Sequence, residues 1–149
     1  MPTHSDKRVM PYTADQMYAL VADVGRYPEF LPWNSAARVR KVTPQPDGTE
    51  VMEADLVISF RVFRERFGSR VVLDPATKRI DTEYLDGPFH HMKSYWQFTD
   101  LEDGRCEVEF FVDFEFRNAM LRSLIGAVFN QAMHRIVKAF EDRAHDLYG

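Results

Sequence analysis

A single cysteine, Cys106, is the only thiol in this chain of 149 residues. Its isolation excludes an internal disulfide and any metal site built from several thiolates, and it suits a reducing compartment. No apolar run approaches the roughly 18 to 20 residues that cross a bilayer as a helix. Met1 to Arg8 is polar and lacks the apolar core of a secretory signal. Basic charge is not in excess either: Lys and Arg number 19 against 23 Asp and Glu, a formal net charge of -4. No overall field therefore draws the chain onto nucleic acid, and DNA is not an expected partner. A cytoplasmic protein is expected, with any membrane contact peripheral at the inner face.

Catalytic signatures are missing too. Phosphate-binding glycine patterns, a G-x-S-x-G elbow and an H-E-x-x-H pair are absent. His90 and His91 are adjacent and point to opposite faces of an extended strand, while His134 and His145 lie about three helical turns apart. Neither pair shares an ion easily, so no metal is expected. Cys106 falls on the apolar face of its strand, where a thiol is inert. Glu53 with Asp55, and Asp113 with Glu115, sit on polar strand faces turned to water. An enzyme is not expected, nor is a cofactor.

What is present is a pattern. Hydrophobic residues make up 45% and charged residues 28%, which suits one globular domain over 1–149. Thr13 and Gln16 have the spacing of a capping box, with Tyr12 and Met17 placed as a hydrophobic staple, so a helix runs to about Ala22. The segment Tyr27-Pro-Glu-Phe-Leu-Pro-Trp33 holds two prolines and cannot be a regular helix. Period-two alternation then predicts strands over Ala37 to Val42, Val51 to Phe60, Arg64 to Leu73, Arg79 to Leu85, His91 to Leu101 and Arg105 to Phe116. Pro46-Asp47-Gly48 turns the first pair into a hairpin. Within Arg105 to Phe116, Cys106, Val108, Phe110, Val112, Phe114 and Phe116 face one way and mostly charged residues the other. His4 to Val9 has weak strand character. Asn118 caps a final helix to about Leu147, some 40 Å long at about 1.5 Å per residue. Its stripe of Leu121, Leu124, Ile125, Val128, Phe129, Met133, Ile136, Val137 and Phe140 must cover something apolar, and the dry face of the sheet is the one partner large enough. The result is an α+β domain: an antiparallel sheet with one long helix laid across its concave face.

Arg61, Arg64, Arg66 and Arg70, with Arg38, Arg40 and Lys41 on a neighbouring strand, crowd one region. They make either a solvated strand face that blunts edge pairing or a basic patch for anionic lipid or ribosomal RNA. Gly126 costs about 1 kcal/mol relative to Ala in mid-helix and leaves room for a ligand or for a close sheet contact.

Three stretches carry a family resemblance: Val21-Ala-Asp-Val-Gly-Arg-Tyr-Pro-Glu-Phe-Leu-Pro-Trp33, Leu85-Asp-Gly-Pro-Phe89, and Val112-Asp-Phe-Glu-Phe116 followed by the long helix with Val128-Phe129. In this order they resemble the Coq10/RatA-type family of the START-like, polyketide-cyclase-like superfamily. Many relatives place a cysteine after the Pro-Trp or Pro-Gly pair, where this chain has Asn34. The resemblance implies a helix-grip (START/Bet v 1-like) fold of six to seven strands around the C-terminal helix, with a hydrophobic tunnel between them. It implies a non-catalytic carrier for ubiquinone or another polyprenyl quinone or lipid, supporting respiratory electron transport. The alternative it implies is a toxin-like protein that binds a ribosomal subunit and blocks subunit association; a cyclase or dehydratase is the third. On this reading Phe60, Trp96, Phe114, Phe116, Leu124, Val128 and Phe129 wall the channel, although a solid core would use the same residues. Tyr27, Phe30, Leu31 and Trp33 are placed as a gate over its mouth, and the loop ending at Phe89 as a second piece of the same rim.

Overall fold

The computed structural model describes residues 3–60 and 62–149. Strand β1 (Thr3–Met10) leads into helix α1 (Ala14–Ala22) and a 3-10 helix (Val24–Glu29), and then the meander begins. It comprises β2 (Asn34–Pro44), β3 (Glu50–Phe60), β4 (Phe63–Asp74), β5 (Arg79–Asp86), β6 (Phe89–Asp100) and β7 (Cys106–Phe116). Helix α2 (Ala119–Tyr148) closes the chain. All neighbours are antiparallel, in the order β1-β7-β6-β5-β4-β3-β2, so β1 and β2 are the edges of a seven-stranded curved sheet. The helix-grip architecture is the one the sequence implies, and β1 is a full strand.

Local chemistry sets the boundaries. Thr13 and Gln16 cap α1 reciprocally: the Thr13 hydroxyl accepts from the Gln16 N–H at 3.1 Å and the Gln16 amide oxygen from the Thr13 N–H at 2.9 Å. Asn118 caps α2 by accepting the Leu121 N–H at 3.0 Å. The 3-10 turn with Pro28 inside it replaces a regular helix where the prolines forbid one. Gly87 turns β5 into β6 at φ +140, and a Cβ there would come within 2.8 Å of the Phe67 Cα. The Gly-Pro of the second motif thus lets two backbones touch.

The concave face is dry but not uniform. One buried cluster gathers α1, Trp96, Phe98, Val108, Phe110 and the C-terminal half of α2 through Val137, Phe140 and Ala144. A second centres on Phe89, whose ring lies 5.3 Å from Phe67, 5.7 Å from Phe114 and 4.7 Å from Phe116. Leu121, Phe129 and Met133 of α2 cover that second cluster. Helix α2 is tied down near its end, where the Tyr148 hydroxyl donates to the Gln16 carbonyl at 2.9 Å and Glu141 pairs with Arg8 of β1.

The wet face carries charge in columns. Asp55 lies between Arg40 at 3.2 Å and Arg66 at 2.6 Å; Arg66 also reaches Asp86 at 2.8 Å, and Arg70 reaches Glu83 at 3.7 Å. The arginine cluster is therefore largely a cross-strand charge ladder rather than an unbroken basic patch. Arg38, Lys41 and Arg64 make no ion pair among the described residues, and Arg61 lies outside them. Gly126 serves neither purpose proposed for it: it is exposed, and a Cβ there would meet nothing within 4 Å.

Candidate functional site

Between the two clusters lies a cavity of about 230 Å³. Both clusters lend it walls. Val24, Tyr27 and Leu31 come from the segment after α1, and Met133, Ile136 and Phe140 from the middle of α2. The sheet supplies Leu56 from β3, Phe67, Ser69 and Val71 from β4, Ile80 and Thr82 from β5, Phe89, Met92, Ser94 and Trp96 from β6, and Phe110, Val112 and Phe114 from β7. Asn34, at the start of β2, completes it. Such a space arises because α2 is pinned at its C-terminal end by α1 and near its start by the phenylalanine cluster. It bridges the trough of the curved sheet between those points.

Among the described residues, no carboxylate, histidine, lysine, arginine or cysteine lines the cavity. The one ionisable group of the wall among the described residues is the Tyr27 phenol, which donates to the Val21 carbonyl and stacks edge-on against Phe140 at 5.5 Å. Burial, helped by the nearby Asp23 charge, pushes its pKa well above the usual phenol value, so it stays protonated. Cys106 is fully buried elsewhere in the core, and burial raises its thiol to about 11. The polar atoms that face the space are few. Thr82 and Ser94 are directly paired across β5 and β6, and Ser69 stands diagonally opposite Thr82 on β4. Ser69 reaches the Ala54 carbonyl only at 3.4 Å. The Oδ1 of Asn34 is buried with no hydrogen-bond partner among the described residues.

The residues expected from sequence divide. Tyr27, Leu31, Phe89, Trp96 and Phe114 line the cavity. Phe60 and Phe116 border a separate void of about 20 Å³ with Leu121 and Ile125. Phe129 is packed into the phenylalanine cluster, 5.6 Å from Phe114, and does not reach the space. Leu124 and Val128 are half-buried on α2 and line neither. Phe30 packs on Phe140 at 5.3 Å from outside and borders a surface groove between the 3-10 segment and α2. Trp33 leans on Phe60 at 5.9 Å, with the Arg135 guanidinium 5.1 Å from its ring. Leu31 borders both the groove and the cavity and forms the partition between them.

The cavity thus sits about two turns further along α2 than the sequence placed it. Leu121, Ile125 and Phe129 fill the nearer space with side chains, and Met133, Ile136 and Phe140 leave the farther space open. The hydroxyls were the harder residues to find. Ser69 and Thr82 share the inward phase of Phe67, Val71 and Ile80, but a small polar residue in an alternating strand looks like an interruption.

The sequence profile described as polyketide cyclase / dehydrase and lipid transport matches residues 10–141. The ribosome association toxin RatA of Pseudomonas aeruginosa is 35% identical over 150 residues, covering both chains completely. The mitochondrial coenzyme Q-binding protein COQ10 homolog B of Xenopus laevis is 30% identical over 98% of this chain and 59% of its own length. Among solved structures, the 18 kDa protein CC1736 from Caulobacter crescentus superposes with a TM-score of 0.81 at 34% identity, over 100% of this chain and 99% of its own. A Streptomyces aromatase/cyclase, at 21% identity and a TM-score of 0.77, shares the fold.

Proposed function

The chain belongs to the polyketide cyclase / dehydrase and lipid transport family, and from that premise we propose that it is a non-catalytic binding protein for a prenylated quinone such as ubiquinone. The observation that carries this reading is the cavity between the two core clusters, apolar and free of any charged side chain. Magnitudes favour a ring in it. An engineered apolar cavity of about 150 Å³ takes up benzene, so 230 Å³ accommodates a ring with substituents. Pockets that enclose a whole drug-sized ligand run from roughly 300 Å³ upward, so a polyprenyl tail has to leave the cavity. Leu31 is the partition through which it does so, and the apolar flank of the outer groove, Pro28, Phe30 and Pro32, receives it. Each methylene kept out of water there contributes about 0.8 kcal/mol.

The non-enzymatic part of this reading rests on the lining: among the described residues the cavity wall has one capped phenol and no general base that could activate its three hydroxyls. Organic extraction of the protein purified from its native host, followed by mass spectrometry, tests the proposal. An isoprenoid quinone in stoichiometric amount is the expected result, and a clean extract refutes it.

A second reading is favoured by one specific observation, the full-length likeness to relatives named as ribosome association toxins. On this reading the chain binds a ribosomal subunit through the cations that the charge ladder leaves unpaired, Arg38, Lys41 and Arg64. Co-sedimentation with ribosomes on sucrose gradients at low salt is expected, falling steeply as salt rises. Absence from every ribosomal fraction at low salt rejects it.

A further inference from the structure

The inward hydroxyls are the feature that an apolar container does not need. Thr82 and Ser94 face each other across β5 and β6, and Ser69 lies one diagonal step away on β4. All three line the cavity. Beyond the backbone ladder that joins the two strands, neither the Thr82 nor the Ser94 hydroxyl makes a hydrogen bond among the described residues. Their donors and acceptors therefore face the cavity open to a group that enters it. The surface beside them is aromatic: Trp96 is two residues from Ser94 on the same face, and its ring lies 4.4 Å from Phe110.

We infer that the Thr82–Ser94 pair, with Ser69, is the recognition end of the cavity, hydrogen-bonding the oxygens of an uncharged, oxygenated ring that lies against Trp96 and Phe110. This rests on the quinone reading above and specifies how that ligand is held: ring inward, tail outward past Leu31. The ligand must be neutral. A carboxylate or phosphate would find no cation in the cavity wall and would lose its hydration uncompensated. Hydroxyls both donate and accept, so the same floor serves a ring carbonyl and a ring hydroxyl.

The test compares two probes with the same alkyl tail, decylubiquinone and decylbenzene, whose smaller ring lacks the oxygens and methyl groups, by fluorescence titration of the full chain. Wild type is expected to bind the quinone more tightly. The Thr82→Val/Ser94→Ala double variant is expected to bind decylubiquinone about 10- to 30-fold more weakly, the loss of two ordinary hydrogen bonds, with decylbenzene unchanged or tighter. Thr82→Ser, which keeps the hydroxyl, is expected to retain the wild-type preference. Equal quinone affinity in the double variant and wild type overturns the inference while leaving the carrier reading intact. So does a Thr82→Ser variant as impaired as Thr82→Val, which makes the position a matter of shape. Wild-type protein that binds neither probe overturns both. Should the double variant lose decylbenzene too, the Thr82→Ser comparison decides alone.

Discussion

His4, on the edge strand β1, keeps its Nε2 buried with no hydrogen-bond partner among the described residues and its ring 6.3 Å from that of His134. Its pKa lies below the ordinary 6.5, chiefly through burial; Asp6 opposes that shift, and His134 and Arg8 add to it. The folded state favours the neutral ring, so there is no penalty above the unfolded value. Stability falls as pH drops through about 6.5 toward the folded pKa. Urea midpoints at about pH 7.5 and about pH 5.5 should separate further in wild type than in His4→Gln, and equal separation removes His4 from the account. Gly87 is a second single-residue commitment. Gly87→Ala puts a Cβ against the Phe67 backbone at positive φ and should cost about 2 kcal/mol or more, read as a lower urea midpoint. Trp33 holds φ 62, a conformation bulky residues avoid, with its carbonyl accepting the Ser59 N–H at 2.8 Å. That strain sits in the first family motif, between the groove and β2.

Helix α2 is about 45 Å long by its 30 residues, and three stretches of it do different things. The first stretch is packing, the middle is a lid, and the last turns are an anchor on α1 and β1. Gly126 weakens the first half without giving space to anything, so Gly126→Ala should stabilise the protein by about 1 kcal/mol, visible as a higher Tm. A null or negative change would show that the helix needs its flexibility there. Elements were highly legible in the sequence because their periods differ: every alternating run became a strand and both caps are where Thr13 and Asn118 put them. The site was half legible. Alternation gives the inward face of β3, β6 and β7, hence Trp96 and Phe114, but it cannot say whether two inward residues touch or stand apart. Phe129 and Phe140 are equally apolar on one helix stripe. Only the tertiary placement of the Phe89 cluster decides that the first is filler and the second a wall.

For the molecule as a whole, the partition at Leu31 sets exchange. Leu31→Ala joins the groove to the cavity and should speed release of bound decylubiquinone several-fold in stopped flow, with affinity changed far less than rate. An unaltered rate moves the exit elsewhere. The outer face is close to self-neutralised by Asp55, Asp86 and Glu83, so neutralising Arg66 should leave any ribosome association nearly intact, whereas neutralising Arg38, Lys41 and Arg64 together should abolish it. The divided core has a mechanical consequence. Two tightly packed clusters with a void between them make a compressible body, because unfolding removes the void and shrinks the total volume. Hydrostatic pressure should therefore unfold the empty protein early. A ring seated between the clusters would stiffen it, so the pressure midpoint reports occupancy from volume alone.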